Sequence, residues 1–467
     1  MTEHETVKPT GRTLAVATDA RQARPVRPVH PLPPSPDWRY GSVDTPPLST
    51  RLALCIAGTA FLFAATGRGV LESFGPKLVA YAVQFALLGA ALVVLFAVGR
   101  PERRQPRRGT SAVAYAAIIV FVTSSIVTAM GPTGSSGLVY VIVMTFYLGL
   151  FWAFSSFRFA HIGYWINSST LAAITITIVI VALFQQYTSL FGYLPGNDTF
   201  SVAGYIRPAS ITGSYLHYPL ALAVLLFPLF QYSARRSTIS FLVGAIGTVA
   251  LVLSLSRSGL LILIGGCLVW LLVRRAWVPF ATLSLFFAVL ALLPVTWSQN
   301  AYLERVLDAG SLSASGNTGR VALWQQGWEM WLDSPLLVGG YVGVVTNAAS
   351  NLGGGSGIIV ESGLLQQMLN FGLLGAGLFY LVLLSGTRRI DRSHAWLISG
   401  LIAAAVESVF YQSIEVLPYM ALLSVYPAVS DSIRTGRSGP AADAAVGSEA
   451  FNQEENNARL GRNRRTA

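Results

Sequence analysis

Three arginines stand beside hydroxyl-bearing residues at the edges of strongly apolar runs. Arg207 lies in Tyr205-Ile206-Arg207-Pro208-Ala209-Ser210, ahead of Thr212-Gly213-Ser214 and His217. Arg257 lies in Ser254-Leu255-Ser256-Arg257-Ser258-Gly259, a tight break between two apolar runs. Arg320 follows Gly319, and Glu361-Ser362 follows the glycine-rich stretch Gly353-Gly354-Gly355-Ser356-Gly357. A guanidinium presents paired donors in a planar fork that matches phosphate oxygens. Two or three of them around one cavity hold a diphosphate without a metal. Glu361 or His217 is the candidate general base, since either accepts a proton from an incoming hydroxyl within hydrogen-bond reach. Glu407 and Glu415 are secondary candidates, as arginine partners or sugar contacts. Taken singly, each arginine is an ordinary boundary anchor, His217 an ordinary helix-end histidine and Glu361 an ordinary ion-pair partner. The combination points to chemistry, because an arginine hemmed in by apolar helices is costly unless paired or hydrated.

The elements that must position these groups are membrane spans. Of 467 residues, 53% are hydrophobic and 11% charged, and the mean hydropathy is +0.56. Soluble domains carry about 25% charged residues, so a soluble protein is excluded. A spanning helix needs roughly 20 apolar residues. Such runs lie near 50–66, 77–99, 112–130, 137–154, 166–187, 216–231, 238–254, 259–273, 277–295, 359–385, 395–411 and 415–430. The expected fold is an all-α integral membrane protein of about twelve spans over 50–431. Polar tails at 1–49 and 432–467, rich in arginine and, in the first, proline, are expected to be disordered. A secretory signal peptide is not expected, because the first apolar run follows about fifty polar residues. The net charge of +11 belongs mostly to tails and short loops, so no nucleic-acid partner is expected. Cys55 and Cys267 lie in apolar runs and are too few for a disulfide framework or a zinc site. With no nucleotide-binding loop and no Asp-x-Asp pair of the kind that holds a metal and a nucleotide sugar, no cofactor is expected and the energy for any reaction must come from elsewhere.

Arginine also sets the orientation. The loop at 100–111 carries Arg100, Arg103, Arg104, Arg107 and Arg108, and further arginines follow at alternate loops: Arg158, Arg235-Arg236, Arg274-Arg275 and Arg388-Arg389-Arg392. Basic short loops stay in the cytoplasm, which puts both termini there. Arg207, Arg257, Arg305 and Arg320 then fall on the opposite side, against the bias. Two outer segments, at about 188–215 and 296–358, are longer than connectors need. In the second, Asn317 or Thr318 can cap a helix starting near Gly319 and stopping at Ser334-Pro335. Val321, Trp324, Trp328, Trp331 and Leu332 form its apolar face; Gln325, Gln326, Glu329 and Asp333 form the other. Such a helix lies in the membrane interface or caps the bundle.

The run Arg207 to Pro219, then Ser256-Arg257-Ser258-Gly259, Gly319-Arg320 with Trp324, Ser334-Pro335-Leu336, Gly339-Gly340, Glu361-Ser362-Gly363 and Gly372-Leu373-Leu374-Gly375 resembles the O-antigen ligase and polysaccharide polymerase family. The resemblance covers about 180 residues. It implies metal-independent glycosyl transfer at the outer face of a bacterial cytoplasmic membrane, with a glycan on undecaprenyl diphosphate as donor. It further implies that Arg207, Arg257 and Arg320 bind the diphosphate and stabilise charge on the leaving group, worth about 3 kcal/mol per donor. Ligases of the family usually carry a histidine where this chain has Glu361-Ser362. The expected function is therefore a polymerase joining lipid-linked repeat units into exopolysaccharide or surface polysaccharide. A ligase passing a finished glycan to an acceptor is the alternative. Two other readings are a transporter of the bicarbonate-transporter-like kind and a glycosyltransferase using a polyprenyl monophosphate sugar. Membrane lipids and a chain-length regulator or export machinery are the expected partners.

Overall fold

Within a bilayer every backbone N–H and C=O must find a partner inside the protein, which leaves apolar runs of this kind only the helix. The computed structural model describes residues 46–103, 108–131, 137–188, 190–195, 201–202, 205–235, 237–292, 315–346 and 359–435. The amino-terminal tail at 1–45, Arg305 and the glycine-rich stretch before Ile358 lie outside the described residues. In chain order the helices are α1 Leu48–Thr66, α2 Arg68–Ser73, α3 Lys77–Val98, α4 Arg108–Met130, α5 Leu138–Ser156, α6 Ile162–Trp165, α7 Ser168–Tyr187 and α8 His217–Ser233. They continue as α9 Thr238–Leu253, α10 Arg257–Val273, α11 Trp277–Leu292, α12 Ser315–Leu332, α13 Gly363–Ser385, α14 Ala395–Phe410, α15 Leu417–Ser424 and α16 Tyr426–Thr435. Large apolar side chains such as Leu52, Ile119, Val249 and Leu381 stay exposed midway along helices, as lipid-facing positions do.

Six helical segments among the described residues are long and apolar enough to cross a membrane, and three shorter apolar helices (α9, α10 and α14) accompany them. The expected count of about twelve is thus not reached by length and composition. The shortfall has local causes. The 216–231 run yields a 17-residue α8, and the 415–430 run breaks at Val425 into α15 and α16. The last helix runs on to Thr435, past the boundary expected at 431. Helix α12 begins at Ser315, so Asn317 and Thr318 lie inside it instead of capping it. Its apolar stripe divides: Trp331 is buried in the bundle, whereas Trp328 and Leu332 are about half exposed.

Helix α8 is the axis of the bundle, inaccessible from Tyr218 through Leu229, and packs against α7, α9, α10, α14 and α15. Pro228 inside it has no N–H, which orphans the Val224 carbonyl one turn earlier. The Tyr426 hydroxyl donates to that carbonyl at 2.6 Å. A second break is larger. Gly372 has φ +66 and ψ −175 within α13, a conformation open to glycine. The chain after α12 fills the gap: Leu373 and Leu374 donate to the Leu336 and Leu337 carbonyls, and Gly340 and Tyr341 donate to the Leu369 carbonyl. Gly343 N–H reaches Asn370 Oδ1 at 2.8 Å. A Cβ on Gly372 would collide with the Leu337 backbone.

The ends of the bundle differ. At one, strand β1 (Pro101–Arg103) pairs antiparallel with β2 (Phe157–Phe159). On the same side Arg235 Nη2 lies 2.6 Å from His394 Nε2, and His394 Nδ1 lies 2.7 Å from Ser430 Oγ. A guanidinium only donates, so His394 is the neutral tautomer whose Nδ1–H donates to Ser430. Nearby, Asp391 accepts from the Ser393 N–H at 2.9 Å and from Arg434 at 2.5 Å. The Ser393 amide first, then Arg434, hold this carboxyl well below the usual carboxylate range.

Two measurements check these contacts. Tyr426→Phe leaves the buried Val224 carbonyl unpaired and is expected to cost about 1–3 kcal/mol in thermal or denaturant unfolding in detergent. Asp391 is depressed in the fold, so its contribution is present above an unfolded pKa of about 3.9 and disappears as pH falls through the lower folded value. The midpoint difference between wild type and Asp391→Asn should therefore be present at neutral pH and shrink below about pH 4.

Candidate active site at the opposite end of the bundle

The opposite end collects the loop-facing ends of α1, α3, α7, α8, α10, α13 and α14, and there the sequence-selected residues lie. Ser256 caps α10 by accepting from the Gly259 N–H at 3.4 Å, with Leu255 at φ +55 turning the chain back. Arg257 is therefore the first residue of α10, half-buried and aligned with the helix amino terminus, where partial positive charge favours an anion. Ser362 caps α13, accepting from the Leu365 N–H at 3.2 Å while its hydroxyl donates to the Val409 carbonyl at 2.6 Å. The Gly363 N–H donates to the Tyr411 carbonyl at 3.0 Å. The start of α13 is thereby fastened to the end of α14, and Glu361 is set beside Tyr411.

Arg320, from α12, forms a close ion pair with Glu361, and its guanidinium lies 5.1 Å from the centre of the Tyr411 ring. Because α10 packs along α14, Arg257 also comes within electrostatic reach of the Tyr411 hydroxyl. Arg257, Arg320, Glu361 and Tyr411, from four separate segments, thus share one place. Beside them a cavity of about 590 Å³ opens between α12, α13 and α14. Trp324, Trp328, Leu364, Leu365, Met368 and Phe410 line most of it.

Arg207 and His217 belong to an adjoining wall. Arg207 is 7% exposed and lies over the Tyr215 ring at 4.7 Å. Its segment is pinned by Ser210, whose N–H donates to Gln185 Oε1 and whose hydroxyl donates to the Ile178 carbonyl, both at 2.6 Å. His217 opens α8. Its Nδ1 is sealed from solvent and has no hydrogen-bond partner among the described residues. Gly259 meets the Pro219 carbonyl, so the starts of α8 and α10 abut and the two walls are continuous. Glu407 is enclosed, accepting from Ser413 Oγ at 2.7 Å and Tyr419 Oη at 3.1 Å. It is a strut under the turn that carries Glu415.

Sequence reasoning passed over Arg68 and Tyr411. Arg68, in the short connection after α1, pairs closely with Glu72 and lies within reach of His217. The signal was present, since Arg68 breaks the same loop bias as the other arginines. Tyr411 carried none, because a tyrosine at a helix end is ordinary until a guanidinium lies over its ring.

Residues 241–380 match the family model described as O-antigen ligase. The match supports an O-antigen ligase family assignment for this segment. The match contains Arg257, Arg320 and Glu361, whereas Arg207 and His217 precede it. The assignment is to lipid-linked glycan ligase and polymerase chemistry in a multi-pass membrane protein, and it gives the transporter reading no support. No curated protein matches the chain.

The Arg320 and Glu361 side chains remain 30% and 32% exposed, and a pair so open to solvent contributes about 0–1 kcal/mol. Arg320→Gln is expected to leave stability within that margin. It should nonetheless remove most of the protein's affinity for inorganic pyrophosphate in calorimetric titrations. A large drop in unfolding midpoint would make Arg320 a structural residue instead.

Proposed function

We propose that this O-antigen ligase family protein is a glycosyltransferase that polymerises oligosaccharide repeat units carried on undecaprenyl diphosphate. The convergence of Arg257 and Arg320 on Tyr411, beside an apolar cavity, carries this reading. Two guanidiniums suit the two phosphates of the donor, and the aromatic and aliphatic lining suits the first part of its lipid. Arg207 completes the anion-binding wall. In the reaction an acceptor hydroxyl attacks the anomeric carbon of the donor glycan, and the bond from that carbon to the diphosphate oxygen breaks. The arginines stabilise the negative charge that develops on the lipid diphosphate as it leaves. His217, at the start of α8, is the candidate that takes the proton of the attacking hydroxyl. Glu361, tied to Arg320, orients that guanidinium and is the alternative base. Neither a metal nor a cofactor is assigned a step.

The setting in this reading is a bacterial inner membrane, with the site end outward and both termini cytoplasmic. The shorter helices, with α8, α11 and the α15–α16 pair, complete about twelve crossings. A chain-length regulator or export machinery would receive the product. The match to a family described as O-antigen ligase favours a second reading, a ligase that passes the glycan to a different acceptor.

Purified protein given a lipid-linked oligosaccharide separates the two, with products sized on a gel. A ladder is expected for a polymerase and a single shifted band for a ligase; no change would count against both. Arg257→Lys keeps the charge but not the fork. It is expected to lower turnover by about 10²-fold or more, and near-normal product length and rate would remove Arg257 from the diphosphate site.

A further inference from the structure

The connection between α1 and α3 is shaped around a polar cluster that the proposed transfer leaves unused. Helix α2 places Arg68 and Glu72 one turn apart as a close ion pair, with the two side chains only 10% and 3% exposed. Tyr81, from α3, lies under the Arg68 guanidinium at 4.6 Å and within electrostatic reach of Glu415. The whole unit is clamped onto the wall that bears Arg207 and His217. Gly69 and Gly213 meet backbone to backbone, so that a Cβ on Gly69 would stand 2.7 Å from the Gly213 nitrogen. Gly213 itself sits at φ +73.

This pair is built but incompletely satisfied. Arg68 uses Nε toward Glu72, and its two Nη groups make no other hydrogen bond among the described residues. Glu72 accepts through Oε1, and its second oxygen has no further partner there. None of these leftover atoms is among those sealed from solvent. A nearly enclosed ion pair that still leaves donors and an acceptor unused within the protein suits a ligand that supplies both. Sugar hydroxyls do so, each being donor and acceptor at once. A second anion is a poorer match, because the Glu72 carboxylate repels it.

We propose that Arg68, Glu72 and Tyr81 form a subsite for the terminal sugar of the acceptor glycan, next to His217. The subsite rests on the glycosyl-transfer reading for its role but not for its existence. It gives the two substrates separate walls: the donor diphosphate at Arg257, Arg320 and Tyr411, the acceptor sugar at α2 and α3.

Saturation-transfer NMR on the full chain in lipid nanodiscs tests it without any lipid-linked donor. The probes are the methyl glycosides of glucose, galactose, mannose and N-acetylglucosamine. At least one is expected to receive saturation from the wild type. Its affinity should fall about tenfold in Arg68→Gln and in Glu72→Gln, and remain unchanged in Arg320→Gln. Tyr81→Phe, which keeps the ring beneath Arg68 and removes only the hydroxyl, guards against misfolding and should weaken binding less. Absence of transfer to all four probes would overturn the subsite, as would equal binding by wild type, Arg68→Gln and Glu72→Gln. Glycoside binding that depends on Arg68 in a protein inert toward lipid-linked oligosaccharide would retain the subsite while rejecting the transfer reaction.

Discussion

A helix in lipid can be interrupted only where protein supplies partners for the backbone groups it frees, and that constraint shapes this molecule. Pro228 orphans the Val224 carbonyl, and the Tyr426 hydroxyl takes it up, joining the last helical segment to the central one. Gly372 breaks α13, and the chain after α12 fills the break with its own backbone. The second repair has a consequence at the site. It holds the end of α12 against α13, and so holds Arg320 where it meets Glu361 and Tyr411.

Several sequence features that look chemical are, on this view, parts of the mounting. Gly339-Gly340 and Gly372 serve the repaired break in α13. Ser256 and Ser362 cap the helices whose starts carry Arg257 and Glu361. Gly363 lets α13 seat on the end of α14, since a Cβ there would strike the Ser408 and Tyr411 carbonyls. Glu407 braces the turn bearing Glu415 from an enclosed position. Polar residues within a membrane are commonly functional, yet here many support a smaller number that face the open space.

The charge pattern separates the two ends of the bundle. One end carries the β1–β2 ribbon, the Arg235–His394–Ser430 chain and the Arg434–Asp391 pair, contacts that fasten loops to the helices above them. The other carries Arg68, Arg207, Arg257 and Arg320, each stacked on or near a tyrosine or paired with a carboxylate. Neighbouring aromatic faces and carboxylates make such charges tolerable at a membrane boundary.

The helical membrane character was legible in the sequence, because hydropathy and the need for internal hydrogen bonding act along the chain itself. So were Arg257, Arg320 and Glu361, which stand out as charges beside apolar runs. The number of long helices was not read from the apolar runs alone: one run breaks at Val425, where Pro427 in the first turn of the next helix is the local signal, and α8 stops at 17 residues. The start of α12 at Ser315 was missed because Asn317 and Thr318 favour a cap locally. Residue types and their order thus determined on their own that the chain is a helical membrane protein with displaced arginines. Only the folded chain decided which of them meet, since Arg257, Arg320, Glu361 and Tyr411 are distant in sequence and come together through helix packing, a non-local interaction that no short stretch of residues encodes.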